Sequence, residues 1–228
     1  MKHYIVATHA AAGADSVLDV GCGTGHDLAL LAAVAIAGVG IDPSGALLAR
    51  ARKRLQQARP SPVLIQAHGE QIPLRDGSVG GCRIERVLQH VTEPTVVLAE
   101  AVRCLRGGGV ITVFEPDWSS LQVTSEQFDA NAQWLANVEH PGVGGAVWGL
   151  VEDAGCVVMD RVEECSVWSS LADAERVVGV SAALKRRIDE GAFTRDEARS
   201  WLAEQQARDR EGRFRATLAK VLIVARKP

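Results

Sequence analysis

The 228-residue chain lacks several things, and each shortage excludes a class of protein. No apolar run approaches the ~20 residues that a membrane-spanning helix needs, so no membrane partner is expected. Lys2-His3 opens only a short mixed run, without the pattern of a secretory leader. A formal net charge of −3 supplies no basic excess to hold nucleic acid. The five cysteines (Cys22, Cys82, Cys104, Cys156, Cys165) are odd in number and without C-x-x-C spacing. That argues against a disulfide framework or structural zinc and for a reducing, cytoplasmic setting. There is no convincing cluster of acidic metal ligands, no repeat and no low-complexity linker. One domain over residues 1–228 is therefore expected, with a short N-terminal segment 1–16. Arginine outnumbers lysine and alanine is abundant, which points to GC-rich bacterial coding.

What is present starts at residues 17–25, VLDVGCGTG. Val17 to Val20 suit a buried parallel strand interrupted by one acid, Asp19. Gly21, Gly23 and Gly25 follow at every second residue. Thr24 reads as a helix cap with Asp27 three residues on, and Leu28, Leu31 and Ala32 then recur at helical spacing. A strand, a glycine turn and a helix in this order let a ligand lie against the backbone beside unpaired helix N–H groups. A dinucleotide fingerprint places its third glycine at the sixth position, which is His26 here, so a nicotinamide cofactor is disfavoured.

The same alternation continues. A helix over 24–37 leads to a strand at 39–42, and Pro43-Ser44 caps a basic helix with Leu47, Ala51 and Leu55 as its buried stripe and Arg50, Arg52, Lys53 and Arg54 on its wet face. Strands are expected at 63–67, 80–87 and 110–115. Between the last two a helix begins at Thr92-Glu-Pro94, with Val91 and Val96 as a hydrophobic staple, and stops at Gly107-Gly108-Gly109. Short joins between strand and helix imply a parallel sheet with helices on both faces. Ligands of such sheets bind beyond the strands' carboxyl ends, where Gly21, Asp42, residues 68–70, 86–90 and 115–118 all fall.

Beyond Trp118 the alternation loosens. Thr124-Ser-Glu-Gln127 reads as a capping box for a helix carrying Phe128, Ala132 and Leu135 on one face. A helix at 147–154, a strand at 157–167, helices at 172–178, 181–190 and 194–210, and a last strand at 216–225 complete the reading. Residues 170–212 are expected to form an insertion that covers the substrate.

Taken together, VLDVGCGTG, GIDPS, HGEQIPLRDGS, ERVLQHVTEP, RCLRGGG and VFEPDW resemble the class I S-adenosylmethionine (SAM) methyltransferases of the small-molecule, ubiquinone/menaquinone-biosynthesis-like branch. The resemblance covers about residues 17–118 closely and the last strand loosely. It implies a Rossmann-like α/β fold: a seven-stranded, mostly parallel sheet in the order 3-2-1-4-5-7-6. It implies SAM as cofactor. Asp19 then corresponds to the acid that orients the methionine ammonium, and Gly21, Cys22 and Gly23 to the backbone under the methionine and ribose. Asp42 corresponds to the acceptor of both ribose hydroxyls, a task that suits an acceptor-only carboxylate. His68, Gly69 and Glu70 lie on the adenine side, and Arg86 and Val87 through His90 beside the transferred methyl. His68 stands where the family commonly has an acid, and Gly80 and Gly107 also depart from its pattern.

Methyl transfer needs acceptor and methyl held in line, and a base only where the acceptor loses a proton. His90 is the named candidate, beside His140, Glu115 and Asp117. Each assignment has a plainer counterpart: Asp19 as a buried acid held by turn N–H groups, Asp42 as a helix cap, His90 as a capping-loop histidine and the five tryptophans as core. Trp118, Phe128 and Trp134 are expected on the acceptor side. The expected activity is methylation of a small molecule, such as a bacterial natural product, with a homodimer left open. The alternative is a methyltransferase fold that binds SAM or S-adenosylhomocysteine without methylating, as a cyclase, regulator or partner subunit.

Overall fold

The computed structural model describes residues 1–129 and 131–228. Along the chain come α1 (Lys2–Ala11), β1 (Ser16–Val20), α2 (His26–Ala33), β2 (Ala37–Asp42), α3 (Gly45–Arg54), β3 (Val63–Gln66), β4 (Val79–Glu85) and α4 (Pro94–Cys104). They are followed by β5 (Leu105–Val123), α5 (Val143–Asp153), β6 (Val157–Trp168), α6 (Leu171–Val178), α7 (Val180–Asp189), α8 (Arg195–Arg210) and β7 (Ala216–Arg226). The strands form one sheet in the expected order, β3-β2-β1-β4-β5-β7-β6. The pairs β3/β2, β2/β1, β1/β4 and β4/β5 are parallel. Strand order turns back between β1 and β4, which makes the end of β1 the switch point where α/β sheets bind ligands. Among the described residues no helix is long and apolar enough to cross a membrane.

Helices cover both faces because β1 is apolar on both. Val17 is buried with Leu28 and Leu31 of α2 and Leu48 and Ala51 of α3. Val20, three residues on, points to the opposite face; there a Cβ on Gly69 would meet it at 3.3 Å and Val97 of α4 at 3.1 Å.

Contacts gather the chain into two units: Met1–Glu115 with Ala146–Val162 and Val221–Pro228, and Pro116–Gly145 with Glu163–Lys220. The core of the second joins Leu121, Val123, Leu135, Leu184, Trp201, Phe214 and Leu218.

Several elements differ from expectation, each for a local reason. The α2 cap is Gly25 in the left-handed region, not Thr24, whose hydroxyl instead accepts from Arg54. The buried stripe of α3 uses Leu48 rather than Leu47. Val96 is 41% exposed, so α4 starts from Pro94 without the staple, burying Val97, Leu98 and Ala101 instead. The strand expected at 110–115 runs from Leu105 to Val123. Backbone bonds from Gly108 to Lys227 and from Lys227 to Gly109 draw the triple glycine into it. Beyond Pro116, Ser120 Oγ accepts from Ala219 and Thr124 donates to the Arg215 carbonyl. No helix starts at Thr124. Ser125 Oγ accepts from the N–H groups of Gln127 and Phe128, Glu204 takes the Glu126 N–H, and among the described residues before α5 a single 3-10 turn, Gln133–Leu135, follows. Serine competes for the N–H groups that a helix would use. The capping box at Thr194 and Glu197, by contrast, forms as read.

Candidate functional site

The three glycines of the turn after β1 all lie at positive φ (69°, 53° and 71°), yet each is needed for a different reason. A Cβ on Gly21 would stand 2.4 Å from Val87 Cγ2, so Gly21 lets the ends of β1 and β4 meet. A Cβ on Gly25 would stand 2.8 Å from Leu55 and 3.1 Å from Ala51, so Gly25 lets α2 start against α3. A Cβ on Gly23 meets nothing nearer than the Gly21 carbonyl at 4.0 Å. Gly23 therefore faces open space, and a side chain there would fill it. Cys22 between them is buried, its N–H bonded to the Ile41 carbonyl, and burial pushes its thiol up to about 12. That keeps it an unreactive thiol.

Asp42 ends β2 and fastens this turn. One carboxylate oxygen accepts from Gly23 N–H at 2.9 Å and the other from Ser44 N–H at 2.8 Å. The buried acid thus holds the turn and starts α3, and each oxygen keeps a lone pair for a further donor. His68, exposed, and half-buried Gly69 and Glu70 follow β3 next door, where Ala67 N–H bonds the Asp42 carbonyl.

After β4 the chain turns through Arg86, a non-glycine residue at φ 56°. Such backbone costs of order 1–3 kcal/mol and persists only where neighbours enforce it. The enforcer is Glu115, within the parallel neighbour β5 and one residue past its last register pair with β4, Glu85 and Phe114. Its Oε1 accepts from Val87 and Leu88 N–H at 2.7 and 2.8 Å. Burial pushes Glu115 up to about 8 against the pull of the Leu88, Val87 and Gln89 N–H groups. Fully buried, it shapes the 86–90 turn and has no path to act as a base. His90 is exposed on that turn, and burial, with the Arg86 charge, lowers its pKa.

Beneath the turn lies a charged cluster. Asp19 on β1 is paired in register with Arg83 on β4, which is 1% exposed. The Arg83 guanidinium stands 3.6 Å from Asp19 and 3.1 Å from Asp27, and bonds Glu85. Lys2 Nζ closes the ring, donating to both Asp27 oxygens (3.0 and 2.7 Å) and to Glu85 Oε1 (2.8 Å). Asp19 Oδ2 is buried and unpartnered, and burial raises its carboxyl despite Arg83. Glu85 is buried enough to rise, but the Lys2 bond and the Arg83 charge outweigh this and hold it below the usual range.

A methyltransferase domain model matches residues 18–113, the span that contains every part of this site except Lys2 and Glu115. A 37.1 kDa protein of unknown role in transposon TN4556 of Streptomyces fradiae is 34% identical over 219 residues, covering 92% of this chain and 62% of that one. The ubiquinone/menaquinone biosynthesis C-methyltransferase UbiE of Geobacter sp. (strain M21) is 34% identical over 121 residues, 51% of this chain and 52% of that one. A solved structure from Bacillus halodurans C-125, described as a methyltransferase, matches with a TM-score of 0.72 at 18% identity, covering 100% of this chain and 98% of that one. The chain carries a class I SAM-dependent methyltransferase domain. It spans under two thirds of the length of these two relatives.

The structure brings the glycine turn and Asp42 together, whereas sequence reasoning did not anticipate Lys2, Asp27, Arg83 and Glu85 as one cluster. A signal was present: Arg83 and Glu85 lie two apart, hence on one face, in a strand otherwise apolar enough to be buried. Asp19, expected at the methionine ammonium, has Oδ1 3.6 Å from the Arg83 guanidinium and a buried Oδ2 with no hydrogen-bond partner in the protein.

The acceptor-side residues named from sequence sit in the second unit. Trp118, Phe128 and Trp134 are partly buried against its core. Trp134 meets Phe193 and Trp201 edge-on, with ring centroids 4.9 and 5.3 Å apart. It also lines a cavity of about 510 Å³ with Val138, Pro141, Arg186 and Arg187. Arg186 there donates to the Leu135 and Ala136 carbonyls, and Arg187 to Glu190. Trp148, in the first unit, is half-buried with the Arg161 guanidinium 5.9 Å from its ring centre.

Proposed function

We propose that the protein transfers a methyl group from SAM to a small-molecule acceptor. The observation that carries this is the turn at Gly23: open space above a positive-φ glycine, beside a buried carboxylate with acceptor capacity to spare. A nucleoside fits there, because two adjacent ribose hydroxyls are donors and Asp42 only accepts. SAM supplies the chemistry, a methyl group on a sulfonium that leaves as a thioether. The chain binds and orients. Gly21, Cys22 and Gly23 offer backbone to the methionine and ribose, and Asp42 takes the ribose hydroxyls. His68, Gly69 and Glu70 flank the adenine, and Arg86 and Val87 flank the methionine end. Asp19, whose Oδ2 has no partner in the protein, orients the methionine ammonium. His90, its pKa lowered toward the neutral imidazole, is the group to accept a proton where the acceptor must lose one. Trp118, Phe128 and Trp134 choose the acceptor, which we take to be an apolar natural product of bacterial origin.

Calorimetry with SAM, S-adenosylhomocysteine and NADH tests the cofactor, and incubation with SAM and a metabolite extract tests transfer. Binding of the first two ligands and a product heavier by one CH2 are expected. NADH binding without SAM binding would overturn the assignment. SAM binding without any methylated product would favour the alternative of a binding-only protein.

A further inference from the structure

The cavity of the second unit has two unlike walls. Trp134, Val138 and Pro141 make one apolar, and Arg186, Arg187 and Glu190 make the other charged. The two arginines, adjacent near the end of α7, have different duties. Arg186 donates from Nη2 to the Leu135 and Ala136 carbonyls at 3.2 and 2.9 Å, which fastens the 3-10 turn carrying Trp134 to α7. Arg187 bonds Glu190 through Nη1 at 2.9 Å, while its Nε is buried without a partner in the protein. The Arg187 carbonyl accepts from the Ala192 and Phe193 N–H groups at 2.9 and 3.1 Å, and Phe193 in turn meets Trp134 edge-on. The same few residues thus hold a ring and a guanidinium against one space.

Of the charged residues lining that space, two are arginines and one is an acid, so one positive charge is in excess. Glu190 is shared between both cations, 4.0 Å from Arg186 Nε as well, and its side chain is 46% exposed. Cations near the end of a helix answer its dipole. That role calls for neither an aromatic ring nor a cavity of about 510 Å³ beside them, a size within the range of small-molecule sites. One excess charge matches a monoanion, and a planar guanidinium matches the two oxygens of a carboxylate. The indole face suits a flat, apolar body.

Resting on the reading above that Trp134 chooses the acceptor, we propose that this cavity seats an apolar or aromatic carboxylate, and that the acceptor is an acid held by Arg187 with its body against Trp134. Arg186 is a positioning residue, which keeps the Trp134 turn in place. Glu190 competes with the ligand for Arg187 and lowers its affinity.

The test is calorimetry with 2-naphthoate and 2-naphthamide, which share one body and differ in charge. The wild type should bind naphthoate about fivefold or more tightly than naphthamide. Arg187→Met should weaken naphthoate about fivefold or more and leave naphthamide within about twofold, the scale of a charge-assisted bond at a partly exposed site. Glu190→Gln should tighten naphthoate about twofold or more, because Arg187 then has no carboxylate of its own. Trp134→Ala should weaken both probes alike. Equal binding of the two probes, or binding of neither, overturns the proposal. A preference for naphthoate that survives Arg187→Met overturns it too, and leaves the arginine as a partner of the helix dipole. So does weaker naphthoate binding by Glu190→Gln. Incubation with SAM and the metabolite extract separates this proposal from the reading beneath it. Methylated products that an anion exchanger retains at pH 7, and that Arg187→Met loses, support an acidic acceptor. A neutral methylated product overturns the acid and leaves methyl transfer standing. If no methylated product forms, methyl transfer itself fails, and the two probes still decide what the cavity holds.

Discussion

The glycine turn of the first unit and the aromatic core of the second are assembled from very different distances along the chain. Gly21, Gly23 and Gly25 lie within five residues, and the motif that contains them names its own turn, strand and helix. Trp134, Phe193 and Trp201 meet from three separate segments, and nothing local in any of them announces the others. A ligand turn has to be local, because successive N–H groups and φ values make it. A core only has to fill space, so many sequences serve, and each contact depends on where distant elements are placed.

The largest test of that contrast is Trp201→Ala. Trp201 is 2% exposed in the second unit's core, and removing such a ring costs about 3–5 kcal/mol. Thermal melting should show the loss. In whatever fraction remains folded, S-adenosylhomocysteine affinity should stay within about twofold if the first unit holds the cofactor by its own local turn. A large affinity loss in folded protein would break the separation.

A pH test of comparable size belongs to the first unit alone. His9 of α1 is fully buried against Thr112 (3.1 Å), and burial, helped by the Arg83 charge, pushes it down to about 4. A depressed folded pKa means the stabilisation is present above the unfolded value of about 6.5 and is lost as pH falls toward 4, by up to roughly 3 kcal/mol. Glu115 has the opposite sign: raised to about 8, it favours the fold fully below its unfolded value and loses this as pH rises through 8. The melting temperature of His9→Gln should therefore fall less than wild type between pH 6.5 and 4. Parallel curves would show that His9 titrates normally.

At the cofactor itself, Asp42→Ala should weaken S-adenosylhomocysteine by about 1–3 kcal/mol, through lost ribose acceptors and an unpinned Gly23 N–H. Gly23→Val should do at least as much by occupying the open space and forcing a β-branched residue to positive φ. Normal binding by either variant would move the site elsewhere.

How far the sequence was readable follows the same division. Strand order, the turn, Asp42 and the Thr194 capping box were legible because each is a short pattern with one physical solution. The 124–135 segment was not, because Ser125 and Glu204 took the N–H groups that a helix would have used. The length of β5 was not, because its glycines and Pro116 read as breaks until β7 pairs alongside. Leu48 replaced Leu47 in the α3 stripe for want of knowing which way the helix faces the sheet. The Arg83 cluster was visible only as charge in the wrong place, since its partners come from α1, β1 and α2.

The smallest expected effect, and the one that bears most on the acceptor, is Trp134→Ala. Trp134 is half-buried, so truncation forfeits two edge-on aromatic contacts, worth about 0.5–1.5 kcal/mol each, and some apolar area. The fold should survive with a lower melting temperature. Binding of SAM, held by the other unit's turn, should stay within about threefold, whereas turnover of the acceptor found in the extract assay should drop, because losses confined to one substrate separate kinetically. Trp134→Phe keeps a ring against Phe193 and Trp201 and should restore stability before it restores turnover. If turnover instead follows stability through both variants, Trp134 is core and no more. If Trp134→Ala lowers stability and leaves turnover whole, the acceptor is chosen by other residues, and the Trp118 and Phe128 rings become the next to truncate.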